Sequence, residues 1–401
     1  MKFKSLEEQL YIVKRGVDEI LPEEQLIKKI EKSISRNIPL NIKLGCDPSM
    51  PDLHLGHSVV LKKLRDFQDL GHNVNLVIGD FTAMIGDPTG RNKTRPQLDL
   101  NTAKINADTY IKQASKILDI KKLRVVYNSE WLSKLDFSNI INISGKFTIA
   151  QFLERDDFGK RYKSGIPISI HEFMYPLAQA YDSVVLRSDI EIGGTDQKFN
   201  LLLGRDLQKE YDLDPQIAIM LPILEGTDGK MKMSKSYDNY IAFNDTPNNM
   251  YGKVMSIPDD LIIPYFIHAS NISLKEIEDY KLMISSEKIT YRDLKRKLAR
   301  EIISIYYDNS LASQAEQHFI DVFVKKIAPD NVKTVKIVSS IKVIDFLYSN
   351  GIVSSKGECK RLIKQSAIKI NDLAMTDINY EIQPNTKATI KVGKRKFIKI
   401  V

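Results

Sequence analysis

The sequence predicts an α/β protein: a doubly wound parallel sheet, followed by an all-α domain and a small α+β module. Three observations carry that prediction. Short apolar strands end repeatedly in loops rich in Gly, Asp and His, which lead into amphipathic helices. From residue 245 to 328 strand signals vanish and helical stripes replace them. Residues 341–401 then combine helix caps, turn residues and a hairpin pattern with a strong excess of basic charge.

In chain order, residues 1–40 read as helices, with periodic stretches from Leu6 to Val13 and, after Pro22, from Leu26 to Ile34. Asn41 to Gly45 is a strand, followed by Asp47-Pro-Ser-Met-Pro-Asp-Leu-His54-Leu-Gly56-His57. Val60, Leu61, Leu64, Phe67 and Leu70 then mark one helix face, and Gly71 suits its end. Val74 to Ile78 is a second strand, ending in a Gly- and Asp-rich loop that runs to Arg91. Residues 102–118 read as helix and Leu123 to Tyr127 as strand. The mixed, charged residues 131–165 read as an insertion between the two halves of the sheet. Ile190 to Gly193 and Gln216 to Leu221 complete the strands. The helical domain shows a capping box at Ser273–Glu276 and a stripe through Leu294, Leu298, Ile302 and Tyr306. The expected division is therefore 1–244, 245–328, a linker at 329–340, and 341–401.

The apolar fraction is 43% and the charged fraction 27%, ordinary for a soluble globular chain, and no apolar run reaches membrane-span length. Cys46 and Cys359 lie too far apart for a disulfide framework or a metal-ligand spacing, and the N-terminus carries no signal-peptide core. A reducing, cytoplasmic compartment is expected, with no membrane partner and no metal site. The net charge is +8, and residues 341–401 hold twelve Lys/Arg against five Asp/Glu. A basic module on a near-neutral body points to a polyanionic partner such as RNA. Charge alone leaves a solvated lysine-rich surface equally open. Lys356, Lys360, Arg361 and Lys364 share one helical face, suited to phosphate contacts.

Three further groupings carry chemistry. His54 and His57 sit where a strand gives way to a helix N-terminus, which favours anions. The same pattern is also that of a turn with two surface histidines. Tyr175, Gln179 and Asp182, spaced i, i+4, i+7, share a helix face; spacing alone favours an exposed polar face over a pocket wall. The loop Gly229-Lys-Met-Lys232-Met-Ser234-Lys235-Ser236 holds three lysines in six residues beside a glycine.

Taken together, His54-Leu-Gly-His57 and Lys232-Met-Ser-Lys-Ser236 resemble the two signatures of the class I aminoacyl-tRNA synthetases. Gly193-Gly-Thr-Asp-Gln197, Tyr175-x-x-x-Gln179-x-x-Asp182 and Ile85-Gly-Asp-Pro-Thr-Gly90 narrow the resemblance to the tyrosyl-tRNA synthetase family, over essentially the whole chain. The first domain would then be a nucleotide-binding domain. The basic tail resembles the small RNA-binding module that ends bacterial members.

The resemblance implies a ligase using ATP with Mg²⁺ and no tightly bound cofactor. L-tyrosine attacks the α-phosphate of ATP, and the tyrosyl group then passes to tRNA(Tyr). It implies that His54 and His57 donate to the phosphates, that Gly56 admits the adenine, and that Lys232 and Lys235 clamp the β- and γ-phosphates with Ser234 and Ser236. Arg91 and Arg95 would lie near the leaving pyrophosphate. Asp196 would bind the ribose, and Gln197 would lie near the adenylate. Asp87, Tyr175 and Gln179 would hold the α-ammonium group and Asp182 the phenol hydroxyl, with Lys43 and Asp47 beside the amino-acid pocket. It implies a homodimer joined around residues 130–165, with the helical domain on the anticodon and the tail on the long variable arm of the tRNA.

Two departures stand out. Lys43 occupies a position where many members carry tyrosine, so it is expected to contact the hydroxyl or Asp182, or to point away. Lys230 adds a lysine just before the signature. The rivals are a tryptophanyl-tRNA synthetase, opposed by Gly193–Gln197 and Asp182, and a non-catalytic RNA-binding protein on the same scaffold, opposed by the intact histidine and lysine pairs.

Overall fold

The computed structural model describes residues 3–48, 52–89, 100–324, 333–371, 373–393 and 396–401, except for the side chains of residues 100 and 101. The chain forms two compact units, Met1–Asp308 and Asn309–Val401.

The first unit is built on six strands: β1 (Glu19–Leu21), β2 (Asn41–Cys46), β3 (Asn73–Ile78), β4 (Leu123–Tyr127), β5 (Ile190–Gly194) and β6 (Ile217–Leu221), in the order β1-β6-β5-β2-β3-β4. From β2 to β6 all neighbours are parallel. The chain winds outward from β2 through β3 to β4, then returns to lay β5 and β6 on the other side. The topological switch point therefore lies between β2 and β5, where ligands of doubly wound sheets gather beyond the strand ends. β1 corrects the expectation of helix throughout residues 1–40. It pairs antiparallel with β6, with Ile20 opposite Ile219, and caps the sheet edge. Three residues are too few to show strand periodicity in sequence.

Both sheet faces are covered, so the strands are mainly apolar and do not alternate, and β6 is apolar throughout. The N-terminal helices are α1 (Leu6–Lys14), closed by a Ser5–Glu8 capping box, and α2 (Glu23–Arg36). α3 (Leu55–Asp69) packs against β2, β3 and β5 and buries Leu61, Leu64 and Phe67. α4 (Leu100–Ala114) leads toward β4. α5 (Ile170–Leu186) and α6 (Lys198–Glu210) pack together through Leu177, Ala180, Leu203 and Leu207. The insertion consists of short helices at Phe137–Ser144, Ile149–Leu153 and Asp156–Lys163. It is tied to α5 by a buried bidentate pair from Arg161 to Glu172.

The expected boundary at residue 245 is not a break in packing. α7 (Pro247–Met255), α8 (Ile262–Ala269), α9 (Leu274–Ser285) and α10 (Tyr291–Tyr306) belong to the first unit. Arg15 Nη2 donates to the Ile272 carbonyl at 2.6 Å, Lys62 Nζ reaches Asn271 Oδ1 at 2.7 Å, and the Phe243 and Tyr306 rings lie 4.5 Å apart. The stripe through Leu294, Leu298, Ile302 and Tyr306 is buried as read from the sequence. Composition marks where strands stop, whereas these long-range contacts fix where a compact unit ends.

The second unit begins with α11 (Asn309–Phe319) and one π turn, Ile320–Val324. Its sheet runs Leu373–Ala374, Ile368–Ile370, Ala388–Val392, Lys396–Ile400, Thr334–Val335. Residues 325–332, which include the first four of the expected linker, lie outside the described residues. Thr334–Val335, expected in that linker, is a strand paired parallel with Lys399–Ile400. Val343, Phe346 and Leu347 of α12 (Val343–Ser349), with Cys359 and Ile363 of α13 (Lys356–Lys364), pack onto Ile390 and Ile398.

Candidate active site

A cavity of about 490 Å³ opens beyond the C-terminal ends of β2 to β5, at the switch point. That volume suits a small-molecule site. One part of its wall holds Asp52, His54, His57 and residues 234–236; another holds Asp47, Asp87, Tyr175, Gln179, Asp182 and Gln197.

His54 is the N-cap of α3. Its Nδ1 accepts from the Gly56 N–H at 3.2 Å, and His57 Nδ1 accepts from the His54 N–H at 3.2 Å. The two rings thus form a reciprocal cap, 4.0 Å apart. Neutral imidazole has one accepting and one donating nitrogen, so both rings are left with Nε2–H as their donor. Burial, reinforced by His57 and Lys235, pushes His54 down to about 2, which keeps it neutral. Gly56 does not line the cavity. A Cβ there would meet His54 Cε1 and Nδ1 at 3.0 Å, so the glycine lets the ring fold back over the helix start.

At the deep end, Asp182 is buried and accepts from Trp131 Nε1 at 2.8 Å and from Asn128 Nδ2 at 3.4 Å. Burial pushes its carboxyl up to about 7, opposed by Lys43 and by these two donors. Asp47 accepts from Tyr175 OH at 2.9 Å and from Thr82 Oγ1 at 2.8 Å. Gly79 makes that approach possible, since a Cβ would come within 2.1 Å of Asp47 Oδ1. Asp87 accepts from Gln197 Nε2 at 3.1 Å. The face of α5 carrying Tyr175, Gln179 and Asp182 is a pocket wall, not the exposed face that spacing favoured.

Lys43 does not join the pocket. β2 and β5 are in register at Lys43 and Glu191, and the lysine Nζ lies 2.9 Å from Glu191 Oε1 beneath the cavity wall. A fully buried ammonium needs an ionic partner, and the neighbouring strand supplies it.

The lysine loop folds back against the histidine turn. Met233 is buried with its Sδ 3.3 Å from the Gly56 nitrogen, and Asn239 Oδ1 accepts from the Ser234 N–H at 2.8 Å. Ser234 Oγ accepts from the Ser236 N–H at 3.2 Å. Lys235 pairs with Asp52, whereas Lys232 is exposed outside the cavity lining with its Nζ 3.9 Å from Asp196 Oδ2. Asp196 likewise stands at the rim, beside Gly194. Arg91 and Arg95 lie outside the described residues.

In the second unit, Lys356, Lys360, Arg361 and Lys364 are exposed on α13, opposite buried Cys359 and Ile363. Lys356 is paired with Asp345 at 2.6 Å. Sequence reasoning missed Asn128, Trp131, Thr82, Glu191 and Asp52. Each meets a partner distant in sequence, and only the register of β2 and β5 would have flagged Glu191.

Residues 35–324 match the profile of the tRNA synthetases class I (W and Y). Residues 324–400 match the tyrosine–tRNA ligase SYY-like C-terminal domain. The chain is 51% identical to a tyrosine–tRNA ligase of Carboxydothermus hydrogenoformans, covering 100% of this chain and 99% of that one. It is 52% identical to one of Thermotoga maritima, covering 98% and 97%. The fold is similar to that of the tyrosyl-tRNA synthetase of Archaeoglobus fulgidus complexed with L-tyrosine, with TM-score 0.64 and 22% identity, over 78% of this chain and 100% of that one. The chain belongs to the class I tRNA synthetases, in their tryptophan and tyrosine branch. Within that branch its place is among the tyrosine–tRNA ligases, which are ATP-dependent ligases.

Proposed function

We propose that this cavity activates L-tyrosine with ATP and then passes the tyrosyl group to tRNA(Tyr). The observation that carries the reading is one cavity lined by two neutral histidine donors at a helix N-terminus and by a buried carboxylate at its deep end.

The tyrosine carboxylate is itself the nucleophile. It attacks the α-phosphorus, the bond to the bridging oxygen breaks, and pyrophosphate leaves with that electron pair. No covalent enzyme intermediate is required, so positioning and charge stabilisation carry the rate. The Nε2–H groups of His54 and His57 donate to α-phosphate oxygens as charge builds on them. Lys235 and Lys232 exchange Asp52 and Asp196 for the β- and γ-phosphates, with Ser234 and Ser236 beside them. Asp182 accepts from the phenol hydroxyl, and Asp87, Tyr175 and Gln179 hold the ammonium group. Among the described residues no group of three or more His, Cys, Asp or Glu side chains is placed to hold a metal. Mg²⁺ is proposed to enter as the magnesium complex of ATP, held by phosphate and water.

Tyrosine-dependent ATP–pyrophosphate exchange tests this directly. Exchange is expected with tyrosine and not with tryptophan or phenylalanine; exchange with tryptophan alone, or with none of the three, overturns the reading.

The enzyme is further proposed to be a cytoplasmic homodimer joined through its insertion, where Phe137, Ile141 and Ile149 expose large apolar side chains. Phe137→Glu with Ile141→Glu should halve the mass seen by sedimentation equilibrium; an unchanged mass rejects this interface. Residues 245–328 are assigned to the anticodon and residues 341–401 to the variable arm, through Lys360, Arg361 and Lys364. Replacing these three by alanine should leave exchange unchanged and flatten the log–log salt dependence of tRNA(Tyr) binding by about 2 to 3. An unaltered slope removes α13 from the RNA contact.

A further inference from the structure

Beneath the cavity wall lies a polar network that no step of the proposed chemistry uses. Lys43 and Glu191 are fully buried and face one another from β2 and β5. Lys43 Nζ also donates to the Gln179 carbonyl and to Ser183 Oγ, each at 2.8 Å, so it pins two consecutive turns of α5. Glu191 Oε2 accepts from Ser183 Oγ at 3.0 Å and from Gln216 Nε2 at 2.5 Å. Glu191 Oε1 accepts from Gln179 Nε2 at 3.1 Å.

We propose that Lys43 and Glu191 are positioning residues for substrate recognition, holding the Gln179 amide with its carbonyl oxygen toward the cavity. This rests on the reading that Gln179 binds the tyrosine ammonium group. Both Glu191 oxygens face donors, Oε1 the Lys43 Nζ and Oε2 the Ser183 hydroxyl and the Gln216 amide, so the carboxylate meets its neighbours as an acceptor. Gln179 can therefore meet Glu191 only through its NH₂ group, which fixes the other end of the amide as an acceptor. An acceptor is what an ammonium group needs; a flipped amide would present two donors to a cation. The buried charge pair thus converts an ambiguous side chain into a directional one, at the strand pair that forms the switch point.

The test removes the pair without leaving a lone buried charge. Lys43→Met with Glu191→Gln replaces an ionic pair by neutral groups of similar size, and the amide at 191 both donates and accepts, so it no longer dictates the orientation of Gln179. In tyrosine-dependent exchange, KM for tyrosine should rise about tenfold, the scale of one hydrogen bond to a charged group, with KM for ATP and the urea midpoint unchanged. Gln179→Ala should raise KM for tyrosine by a comparable factor, and adding it to the double variant should cost nothing further. If Gln179→Ala raises KM for tyrosine while the double variant does not, the positioning role is overturned and the ammonium contact stands. If the double variant raises both KM values together, the pair acts only as general scaffolding, and the positioning role is again overturned. Should Gln179→Ala leave KM for tyrosine unchanged, the ammonium contact fails and the positioning role falls with it.

Discussion

Replacing His57 by asparagine is expected to lower kcat for tyrosine-dependent exchange about 100- to 1,000-fold while leaving KM for ATP nearly unchanged, as when one preorganised donor to a developing oxyanion is lost. His57 has two separable functions, because its Nδ1 accepts from the His54 N–H and only Nε2–H remains to donate. Asparagine carries a polar atom near the Nδ1 position, so the cap survives and the donor is lost. Glutamine reaches the Nε2 position instead. His57→Gln should therefore retain more kcat than His57→Asn, although it gives up the cap. Equal losses in the two variants would show that the histidine acts by shaping the turn and not by donating to phosphate. A rise in KM for ATP with kcat preserved would show a contact made equally in ground and transition states.

The second large effect belongs to Asp182. Asp182→Asn should reduce kcat/KM for tyrosine about 30-fold, corresponding to about 2 kcal/mol for a lost charge-assisted hydrogen bond. Its pH dependence is the sharper signature. Burial raises the carboxyl to about 7, above the value near 4 of an unfolded aspartate. Between those limits the folded state binds more protons than the unfolded state, so folding stability contributed by this group falls as pH rises from about 4 to about 7, then levels off. Substrate recognition runs the opposite way, since the ionised form is the better acceptor. kcat/KM for tyrosine should therefore climb with a one-proton slope up to about pH 7, and Asp182→Asn should abolish that limb. A parent profile flat across pH 5–8 would remove Asp182 from hydroxyl recognition.

The parallel strands were legible because both faces of the sheet are buried, which leaves Ile217 to Leu221 without polar interruption and Val74 to Ile78 with only Asn75 among apolar residues. The histidine turn, the Tyr175–Asp182 face and the lysine loop were legible through the resemblance of their motifs to those of a family, since spacing alone left a surface turn and an exposed polar face open. What stayed hidden depends on contacts across the chain. β1 is three residues long and gains its identity only from pairing with β6. Trp131 reaches Asp182 over 51 positions of sequence. For Lys43 the sequence left contact with Asp182 and pointing away both open, because its partner, Glu191, is 148 residues away and becomes adjacent only when β2 and β5 align. Helices α7 to α10 read as a separate domain because absence of strand pattern says nothing about what the helices pack on.

Trp131 is the only tryptophan in the chain, and its indole N–H is bonded to the carboxylate assigned to the substrate hydroxyl. The molecule consequently carries a single optical reporter built into its recognition pocket. Red-edge excitation, which spares the seventeen tyrosines, interrogates one indole, and its emission is expected to shift with the charge state of Asp182 and with the arrival of a phenol beside it. Amino-acid occupancy can be followed in real time on the unlabelled protein, with ATP and tRNA present or withheld, so that recognition is timed apart from the chemistry that follows it.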